Sequence, residues 1–356
     1  MSKKILTYGL ALLCLHISYA QKEIEGLSVN KKGIQKSYIK DLRKKIEADG
    51  LKNITSVVVL REGKLSVEEY YSGADRSTLH DTRSLTKSFA GTLAGIAIDE
   101  GYILSKQSTL ADFYELKKYK NYSARKAEVT IENLLKMDSG FDGFDFDPSS
   151  PGNEENMYPT PDWVKFALDV PMKDFDEDEM RWQYFTAGVV ILGDILNQKT
   201  PDGLKVYAKE KLFNPLGIEK VKWQYTPSRV PNTAGSCRLN SLSFAKYGQL
   251  YKNKGVWNGK QVVPEKWVEE SMTVHYDLRS DGLSYGYLLW QKIYEYNDKE
   301  YEVFCASGNG GSKVFVFTEL DLVVVVTSTA YNQSYMHRQA DTIVEDYILP
   351  AVLDEK

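Results

Sequence analysis

The segment 85–98 restricts the fold of this chain more than any other part of the sequence. It consists of small and apolar residues and contains one charged side chain, Lys87. A helix that is apolar on nearly all sides has to be buried on most of them, so other elements must pack around it. The chain has 356 residues, of which 42% are hydrophobic. This is enough to build such an interior in one large domain or two.

Strand-like sequences lie at both ends of the chain, and helical patterns dominate roughly between residues 105 and 280. Because consecutive strands usually pair, we predict one mostly antiparallel sheet built from both chain ends. Helices flank this sheet, and a large helical insertion separates its two halves, which makes an α+β fold. The sheet region covers residues 21–104 and 281–356, and the helical region covers 105–280. The predicted strands are residues 54–60, 65–71, 285–293, 302–305, 313–317 and 322–327.

The first twenty residues are typical of a secretory signal peptide. Two lysines precede the apolar run 5–17, and small residues stand before a cleavage site after Ala20. The run is too short to cross a hydrocarbon core of about 30 Å, which disfavours a membrane anchor. We therefore expect a secreted or periplasmic protein without a membrane span in its mature form. An oxidising compartment permits a disulfide between Cys237 and Cys305, and two buried free thiols are the alternative.

Charge and motif content exclude several classes of protein. The chain has 45 basic and 49 acidic residues and no long basic block, which argues against binding to nucleic acid. Its four histidines lack the spacing of a zinc site, and no phosphate-binding loop occurs. We predict no metal and no cofactor. The expected partner is a small molecule, and the sequence leaves the oligomeric state open.

A G-x-S-x-G string occurs at residues 282–286. In a nucleophile elbow, such a serine follows a strand and precedes a helix. Here a polar loop precedes the serine and a strand follows it, so we predict that Ser284 is a turn residue. This order disfavours a Ser-His-Asp enzyme.

The pattern S-x-x-K brings a serine and a lysine to one face of a helix, where the lysine can act as a base. Most copies in this sequence lie among other basic residues, where we expect solvated lysines, and Ser243 opens an amphipathic helix that it could cap. Ser84 and Lys87 differ because they begin the apolar segment 85–98. The five pairs are Ser28/Lys31, Ser37/Lys40, Ser84/Lys87, Ser123/Lys126 and Ser243/Lys246.

Burial and the positive end of the helix dipole would both disfavour the charged form of Lys87. The Ser84 backbone N–H, at the start of the helix, would be available to an oxyanion. The alternative is a capping serine beside a lysine that extends into solvent. Residues 138–156 form the longest loop-like stretch and could border a site.

Four segments resemble, in the same order, those of the serine β-lactamase and penicillin-binding-protein superfamily. The likeness is greatest to its class C-like branch of esterases and 6-aminohexanoate-oligomer hydrolases. Segment 80–88 resembles the active-site helix, and segment 129–140 resembles the helix that leads into the active-site loop. Segment 182–188 is similar to the second motif, Tyr-x-Asn or Tyr-x-Ser. Segment 306–312 falls where the third motif, Lys-Thr-Gly or His-x-Gly, lies on a strand.

The resemblance implies a β-lactamase-like fold and an acyl-enzyme mechanism in one catalytic unit. Ser84 would attack an acyl carbonyl with Lys87 as base, and Tyr184 would carry a proton to the leaving group. The backbone N–H groups of Ser84 and Asn309 would form the oxyanion hole. The residues implied in oxyanion or substrate binding are Ser84, Thr186, Ser307, Gly308 and Asn309.

Two residues depart from the family pattern. Thr186 replaces the amide of the second motif, and Ala306 stands where a basic residue usually anchors a substrate carboxylate. We therefore expect a hydrolase of small esters or amides whose acyl chains lack a carboxylate. One alternative is a sensor or scaffold of the penicillin-binding type that does not turn over. Another is a true β-lactamase or D,D-peptidase.

Overall fold

A computed structural model describes residues 23–24, 26–30, 32–278 and 282–354 of the chain. The signal peptide predicted at residues 1–20 lies outside the described residues. Within these ranges, none of the helices combines the length and the apolar character that spanning a bilayer requires.

The described strands belong to one large sheet and three small ones. The strands are β1 (Glu23–Ile24), β2 (Leu27–Ser28), β3 (Ile54–Arg61), β4 (Lys64–Tyr70), β5 (His80–Asp81), β6 (Lys222–Trp223), β7 (Cys237–Leu239), β8 (Val256–Trp257), β9 (Lys260–Gln261), β10 (Tyr276–Leu278), β11 (Leu283–Tyr285), β12 (Trp290–Tyr296), β13 (Lys299–Gly308), β14 (Ser312–Phe317) and β15 (Leu322–Ser328).

The helices lie mostly between β5 and β10. The α-helices are α1 (Lys36–Glu47), α2 (Thr86–Asp99), α3 (Ala124–Ala127), α4 (Ile131–Lys136), α5 (Glu154–Met157), α6 (Trp163–Asp169), α7 (Thr186–Lys199), α8 (Gly203–Ala208), α9 (Ser241–Lys252), α10 (Glu265–Ser271), α11 (Met336–Thr342) and α12 (Leu349–Leu353). A π-helical segment, Ile343–Ile348, joins α11 and α12 into one continuous C-terminal helix.

The large sheet combines strands from the two ends of the chain, as predicted. Its eight strands run in the order β10-β11-β12-β13-β14-β15-β3-β4, and every neighbouring pair is antiparallel. The two halves meet where β15 pairs with β3, with Val324 opposite Val59. Both strands are rich in valine, which suits a strand that is buried on both faces. The predicted α+β class is confirmed.

Successive residues of the sheet alternate between two hydrophobic clusters. Val58 and Leu60 pack in the cluster that contains α2 and α9, and Val57 and Val59 pack in the cluster that contains α1 and the C-terminal helix. The sheet is therefore covered by helices on both faces. Because α2 lies between the sheet and the helical region, twelve of its residues, from Thr86 to Ala97, are buried.

Several boundaries differ from those predicted, and the prediction that Ser284 is a turn residue was wrong, because Ser284 lies inside β11 and pairs with residues of both neighbouring strands. Residues 285–293 do not form one strand, because β11 ends at Tyr285 and the chain bends before β12 begins at Trp290. Leu288 in this bend has a φ of 52°, which a continuous strand cannot contain. The sheet also begins at Tyr276, before the predicted boundary at residue 281. The division into a sheet region and a helical region stays a prediction.

Cys237 and Cys305 are free thiols, and both are buried. Cys237 lies in β7 and packs in the cluster of α2, whereas Cys305 lies in β13 and packs in the cluster of α1. These clusters cover opposite faces of the sheet. Of the two alternatives for this pair, the structure therefore has the free thiols and not the disulfide.

The packing of α1 against the C-terminal helix gives a first prediction. Leu42 is fully buried in the hydrophobic cluster that α1 shares with the C-terminal helix and one face of the sheet, whereas Lys40 on the same helix is exposed. We expect Leu42→Ala to lower the free energy of unfolding by about 2–5 kcal/mol through lost burial and a cavity. Lys40→Ala should change it by less than about 0.5 kcal/mol. Urea unfolding of the two variants checks this, and similar losses would show that α1 does not stabilise the protein through this cluster.

Candidate active site

Ser84 lies in a tight turn, the 3₁₀ segment Arg83–Leu85, which leads directly into α2. Arg83 has a φ of 50°, in the left-handed region that non-glycine residues rarely adopt. The surroundings hold this backbone: the Arg83 carbonyl accepts a hydrogen bond from the Ser236 N–H at 3.3 Å, and its guanidinium lies 4.8 Å from the centre of the Tyr331 ring. Strain of this kind tends to occur at functional sites, and here it precedes the serine.

Lys87 lies one turn further along α2, and its side chain is directed at Ser84. Its Nζ donates hydrogen bonds to Ser84 Oγ at 2.9 Å and to the carbonyl of Ala234 at 2.8 Å. Lys87 is 2% exposed, so solvent does not compete for these contacts. The structure thus brings the predicted pair together in a buried position. The catalytic role of Ser84 and Lys87 stays a prediction.

Burial alone does not distinguish this pair from the other S-x-x-K pairs. Lys126 is fully buried, and its Nζ donates to the carbonyls of residues 120, 168 and 170 at 3.2, 2.8 and 2.7 Å. The prediction that this lysine is solvated was wrong, because loop carbonyls from distant parts of the chain converge on it. Burial lowers the pKa of Lys126 to about 8.

The pairs do differ in whether the lysine Nζ donates a hydrogen bond to the serine of the same pair. Ser123 accepts the backbone N–H of Lys126 as a helix cap, while the Lys126 ammonium is directed elsewhere. Lys246 Nζ donates to the Gly217 carbonyl. Ser243 does not cap α9, since its N–H donates to the Asn240 side chain, which is the cap. Among the pairs within the described ranges, which exclude Lys31, the lysine Nζ donates to its serine in Ser84/Lys87 alone.

Tyr184 lies between two other aromatic rings beside this pair. Its ring stacks on Phe146 at 5.3 Å and on Trp290 at 5.7 Å between centroids, with interplanar angles of 10° and 22°. Lys87 Nζ lies 5.0 Å from the centre of the Tyr184 ring, which is a cation–π contact. No described residue forms a hydrogen bond with the Tyr184 hydroxyl, so this group is available to a substrate.

The end of β13 packs against the turn that carries Ser84. Pairing of β12 with β13 stops at Trp290 opposite Cys305, whereas β14 still pairs with Ser307 and Gly308. A Cβ atom at Gly308 would lie 1.8 Å from the Thr82 carbonyl oxygen, so only glycine permits this approach. Gly308 therefore sets the distance between the strand and the Ser84 turn.

A cavity of about 840 Å³ opens over these residues. Ser84, Tyr184, Ser307, Gly308 and Asn309 all line it. One wall is aromatic, and the cavity extends to a polar end along β12 and β14. The side chains of the aromatic wall are Phe144, Phe146, Trp182, Tyr184 and Trp290, and the charged side chains of the lining are Asp145, Glu154, Lys292, Lys313 and Asp341.

Two of the predicted binding residues differ from expectation in their contacts. Thr186 is 2% exposed and does not line the cavity. Its buried hydroxyl forms no hydrogen bond of normal geometry with a described residue, but it lies close enough to the Asp145 carboxylate to lower the pKa of that group. The Asn309 side chain is occupied by Asn332: Asn309 Nδ2 donates to Asn332 Oδ1 at 2.7 Å, and the Asn332 N–H donates to Asn309 Oδ1 at 2.9 Å. This pair fixes Asn309, and its backbone N–H remains the predicted oxyanion donor.

Asp145 is a residue of this site that sequence reasoning missed. It lines the cavity, and burial together with the nearby charge of Glu154 raises its pKa to about 6. The loop 138–156 was expected to border a site, but it contains several aspartates that sequence alone does not distinguish. Only the fold shows which of them faces the Ser84–Lys87 pair.

Comparison with known proteins agrees with the predicted fold. The family model described as Beta-lactamase matches residues 43–347. A Bacillus anthracis protein assigned as a 6-aminohexanoate-dimer hydrolase aligns with a TM-score of 0.68 at 20% identity, over 84% of this chain and 79% of that chain. The octameric penicillin-binding protein homologue from Pyrococcus abyssi aligns with a TM-score of 0.65 at 18% identity, over 89% and 79%.

A family VIII carboxylesterase aligns with a TM-score of 0.61 at 17% identity, over 88% of this chain and 97% of that chain. No match to a curated protein sequence was found. At these identities the structural neighbours show the fold alone. The β-lactamase-like fold implied by the sequence motifs is confirmed.

The close approach at Gly308 gives a second prediction. Gly308→Ala should push β13 away from the Ser84 turn, because the added Cβ meets the backbone at Thr82. We expect loss of hydrolytic turnover and a lower melting temperature. Gly91→Ala in α2 is the matched control, since its Cβ would meet neighbours no nearer than 3.6 Å, and it should preserve both. Full turnover by Gly308→Ala would contradict the role given to this contact.

Proposed function

The chain belongs to the Beta-lactamase family, and on that premise we propose that it is a serine hydrolase that cleaves small esters or amides through an acyl-enzyme. The observation that carries this proposal is the 2.9 Å contact between Lys87 Nζ and Ser84 Oγ. A serine and a base in direct contact, in a buried position at a cavity wall, are the arrangement that covalent catalysis by serine requires.

In the proposed acylation, Ser84 Oγ forms a bond to the carbonyl carbon of the substrate. Lys87 Nζ, in its neutral form, accepts the Oγ proton while its contact with the Ala234 carbonyl keeps it oriented. The negative charge that develops on the carbonyl oxygen is stabilised by the backbone N–H groups of Ser84 and Asn309. Both residues line the cavity, which supports their assignment to one oxyanion hole.

Tyr184 is proposed to carry the proton to the leaving group as the carbonyl–heteroatom bond breaks. Two observations support this role: Lys87 Nζ lies 5.0 Å from the centre of the Tyr184 ring, and the Tyr184 hydroxyl has no hydrogen-bond partner among the described residues. In deacylation, water attacks the acyl carbon and gives up its proton, and Ser84 leaves with a proton restored to Oγ. The same tyrosine and lysine are placed to exchange these protons.

The lining of the cavity supports acyl groups without a carboxylate. Ala306 provides no cation at the third motif, and the two lysines at the polar end are already paired within the protein. Lys313 Nζ lies 2.7 Å and Lys292 Nζ 3.3 Å from the carboxylate of Asp341. The aromatic wall instead offers apolar contacts.

A second function is favoured by one observation. The buried Thr186 hydroxyl does not reach the cavity, so the second motif supplies only Tyr184 to the site. A site without a second polar group from this motif could form an acyl-enzyme at Ser84 and then hydrolyse it very slowly. The protein would then act as a sensor or scaffold of the penicillin-binding type.

We also propose that the chain is exported, with residues 1–20 acting as a signal peptide that is removed after Ala20. The lysines, the apolar run and the small residues of this segment support the proposal.

The proposed roles of Ser84 and Lys87 give a third prediction. Ser84→Ala should lower kcat/KM for a p-nitrophenyl ester by about a thousandfold or more, because no acyl-enzyme can form. Lys87→Met should have a similar effect through loss of the base. Ser37→Ala is the control, since Ser37 belongs to another S-x-x-K pair and is exposed. Circular dichroism verifies folding, and a fully active Ser84→Ala would refute the assignment.

A substrate panel gives a fourth prediction. We expect multiple turnover of short-chain esters and simple amides, and slower turnover of cephalosporins and of acyl chains that end in a carboxylate. Fast cephalosporin hydrolysis without ester hydrolysis would overturn the substrate class. Stoichiometric labelling of Ser84 without turnover of any substrate would favour the sensor instead.

A further inference from the structure

We propose that Asp145 is a positioning residue that holds Tyr184 against the Ser84–Lys87 pair. This inference rests on the proposed function, because the placement of Tyr184 matters only if Tyr184 takes part in the reaction. Nothing in the family motifs identifies Asp145. The inference follows from its contacts with the segment 184–186.

Asp145 contacts this segment on both sides of Phe185. Its backbone N–H donates to the carbonyl of Tyr184 at 2.9 Å, and its Oδ2 accepts the N–H of Thr186 at 2.7 Å. Two hydrogen bonds to one loop residue therefore bracket Phe185, and one of them holds the carbonyl of Tyr184 directly. The carboxylate also lies at the N-terminus of α7, where a negative charge is stabilising.

The other carboxylate oxygen, Oδ1, joins Asp145 by a hydrogen bond to the end of the loop where α5 begins. Oδ1 accepts the N–H of Glu154 at 2.9 Å, and the side chain of Asn153 donates to the Asp145 carbonyl at 3.0 Å. Asp145 thus joins the start of α5 to the start of α7. Because both oxygens accept backbone donors, the ionised carboxylate satisfies this geometry and its protonated form does not.

The hydrogen bonds of Asp145 with Tyr184 and Thr186 form what we call the Asp145 clamp. The charges around Asp145 make this clamp sensitive to pH. Glu154 and Tyr158 belong to α5 and the turn after it, Lys87 belongs to α2, and Tyr184 precedes α7. Burial and the Glu154 charge raise the pKa of Asp145, and hydrogen bonding from Thr186 and the Lys87 charge oppose this rise. The result is a pKa of about 6. Below that pH, one oxygen of the Asp145 carboxyl group carries a proton and faces a backbone N–H. One of the two hydrogen bonds that the carboxylate accepts, from Glu154 or from Thr186, is then lost.

The sign of the effect on stability follows from the same shift. The folded-state pKa of Asp145 lies above the ordinary value of 3.8, so the folded protein holds this proton more tightly than the unfolded chain does. Stability therefore falls as the pH rises from about 4 to about 6, where the partly buried carboxyl group becomes charged. A clamp that is kept at a cost in stability is expected at a functional site.

The variant Asp145→Asn tests the proposal. An amide has one acceptor oxygen, and its NH₂ group faces a backbone N–H, so the variant resembles the protonated state at every pH. We expect kcat for a neutral ester to fall by about tenfold to a hundredfold, with KM changed by less than about threefold. The acid limb of the kcat profile near pH 6 should disappear. The melting temperature at pH 8 should equal or exceed that of the wild type.

Glu154→Gln changes the charge beside Asp145. Glu154 contacts Asp145 through its backbone, so this variant removes a neighbouring charge and leaves the hydrogen bonds of Asp145 intact. We expect it to move the acid limb to lower pH, because the charge that raises the Asp145 pKa is gone. Glu155→Gln is the matched control, since Glu155 lies on the same helix, is exposed and does not line the cavity, and it should keep wild-type kcat and acid limb. An Asp145→Asn variant that keeps wild-type kcat and acid limb would overturn the proposal. A variant that loses activity and melting temperature together would also overturn it.

A readout independent of activity separates this inference from the proposed function. Trp182 and Trp290 lie 6.3 and 5.7 Å from the Tyr184 ring, so tryptophan fluorescence reports the position of this segment. We expect a transition near pH 6 in the wild type, at lower pH in Glu154→Gln, and absent from Asp145→Asn. If the wild type turns over no substrate but shows this pattern, the proposed function fails and the clamp stands. A pattern that is the same in all three proteins overturns the clamp.

Discussion

The burial of one lysine side chain is the constraint around which this site is arranged. Lys87 is 2% exposed and is satisfied by two acceptors, the Ser84 hydroxyl and the Ala234 carbonyl. A buried lysine without acceptors would be strongly destabilising, so both must be held in place. The apolar helix α2 supplies the burial, and the turn at Arg83 brings Ser84 within reach. The loop before β7 supplies the second acceptor.

The sheet positions this pair by bringing a strand end against the turn. Gly308 approaches Thr82 so closely that no side chain fits between them. The same strand end carries Ser307 and Asn309 into the cavity. The fold therefore brings residues from separate segments of the sequence, at the start of α2, before α7 and at the end of β13, to one cavity.

Much of the fold could be predicted because its causes are local. The apolar composition of 85–98 predicts α2, and the Glu62–Gly63 turn, with φ values of 51° and 69°, forms the predicted hairpin between β3 and β4. The valine-rich runs predict buried strands. Among the S-x-x-K pairs, Ser84–Lys87 could be singled out because it lies at the start of a long run of small and apolar residues.

The remaining features depend on contacts between distant segments, which no local pattern shows. Lys126 is buried because carbonyls from residues 120, 168 and 170 meet around it. Asp145 differs from its neighbouring aspartates only because its partners, Glu154 and Thr186, converge on it. Similarly, the second motif predicts a role for the Thr186 hydroxyl, but packing buries that group outside the cavity. In each case the tertiary fold, and not the residue type, decides the environment.

Fluorophosphonate labelling tests the central claim most directly, because the reagent forms a covalent bond to an activated serine as fluoride leaves. Intact mass should show one phosphonyl group per chain. Trypsin cleaves after Arg83 and Lys87, so the label should map to the peptide 84–87. A chain that takes up no label, or that takes it up at Ser284 or another serine, would contradict the assignment of Ser84 and Lys87 as nucleophile and base.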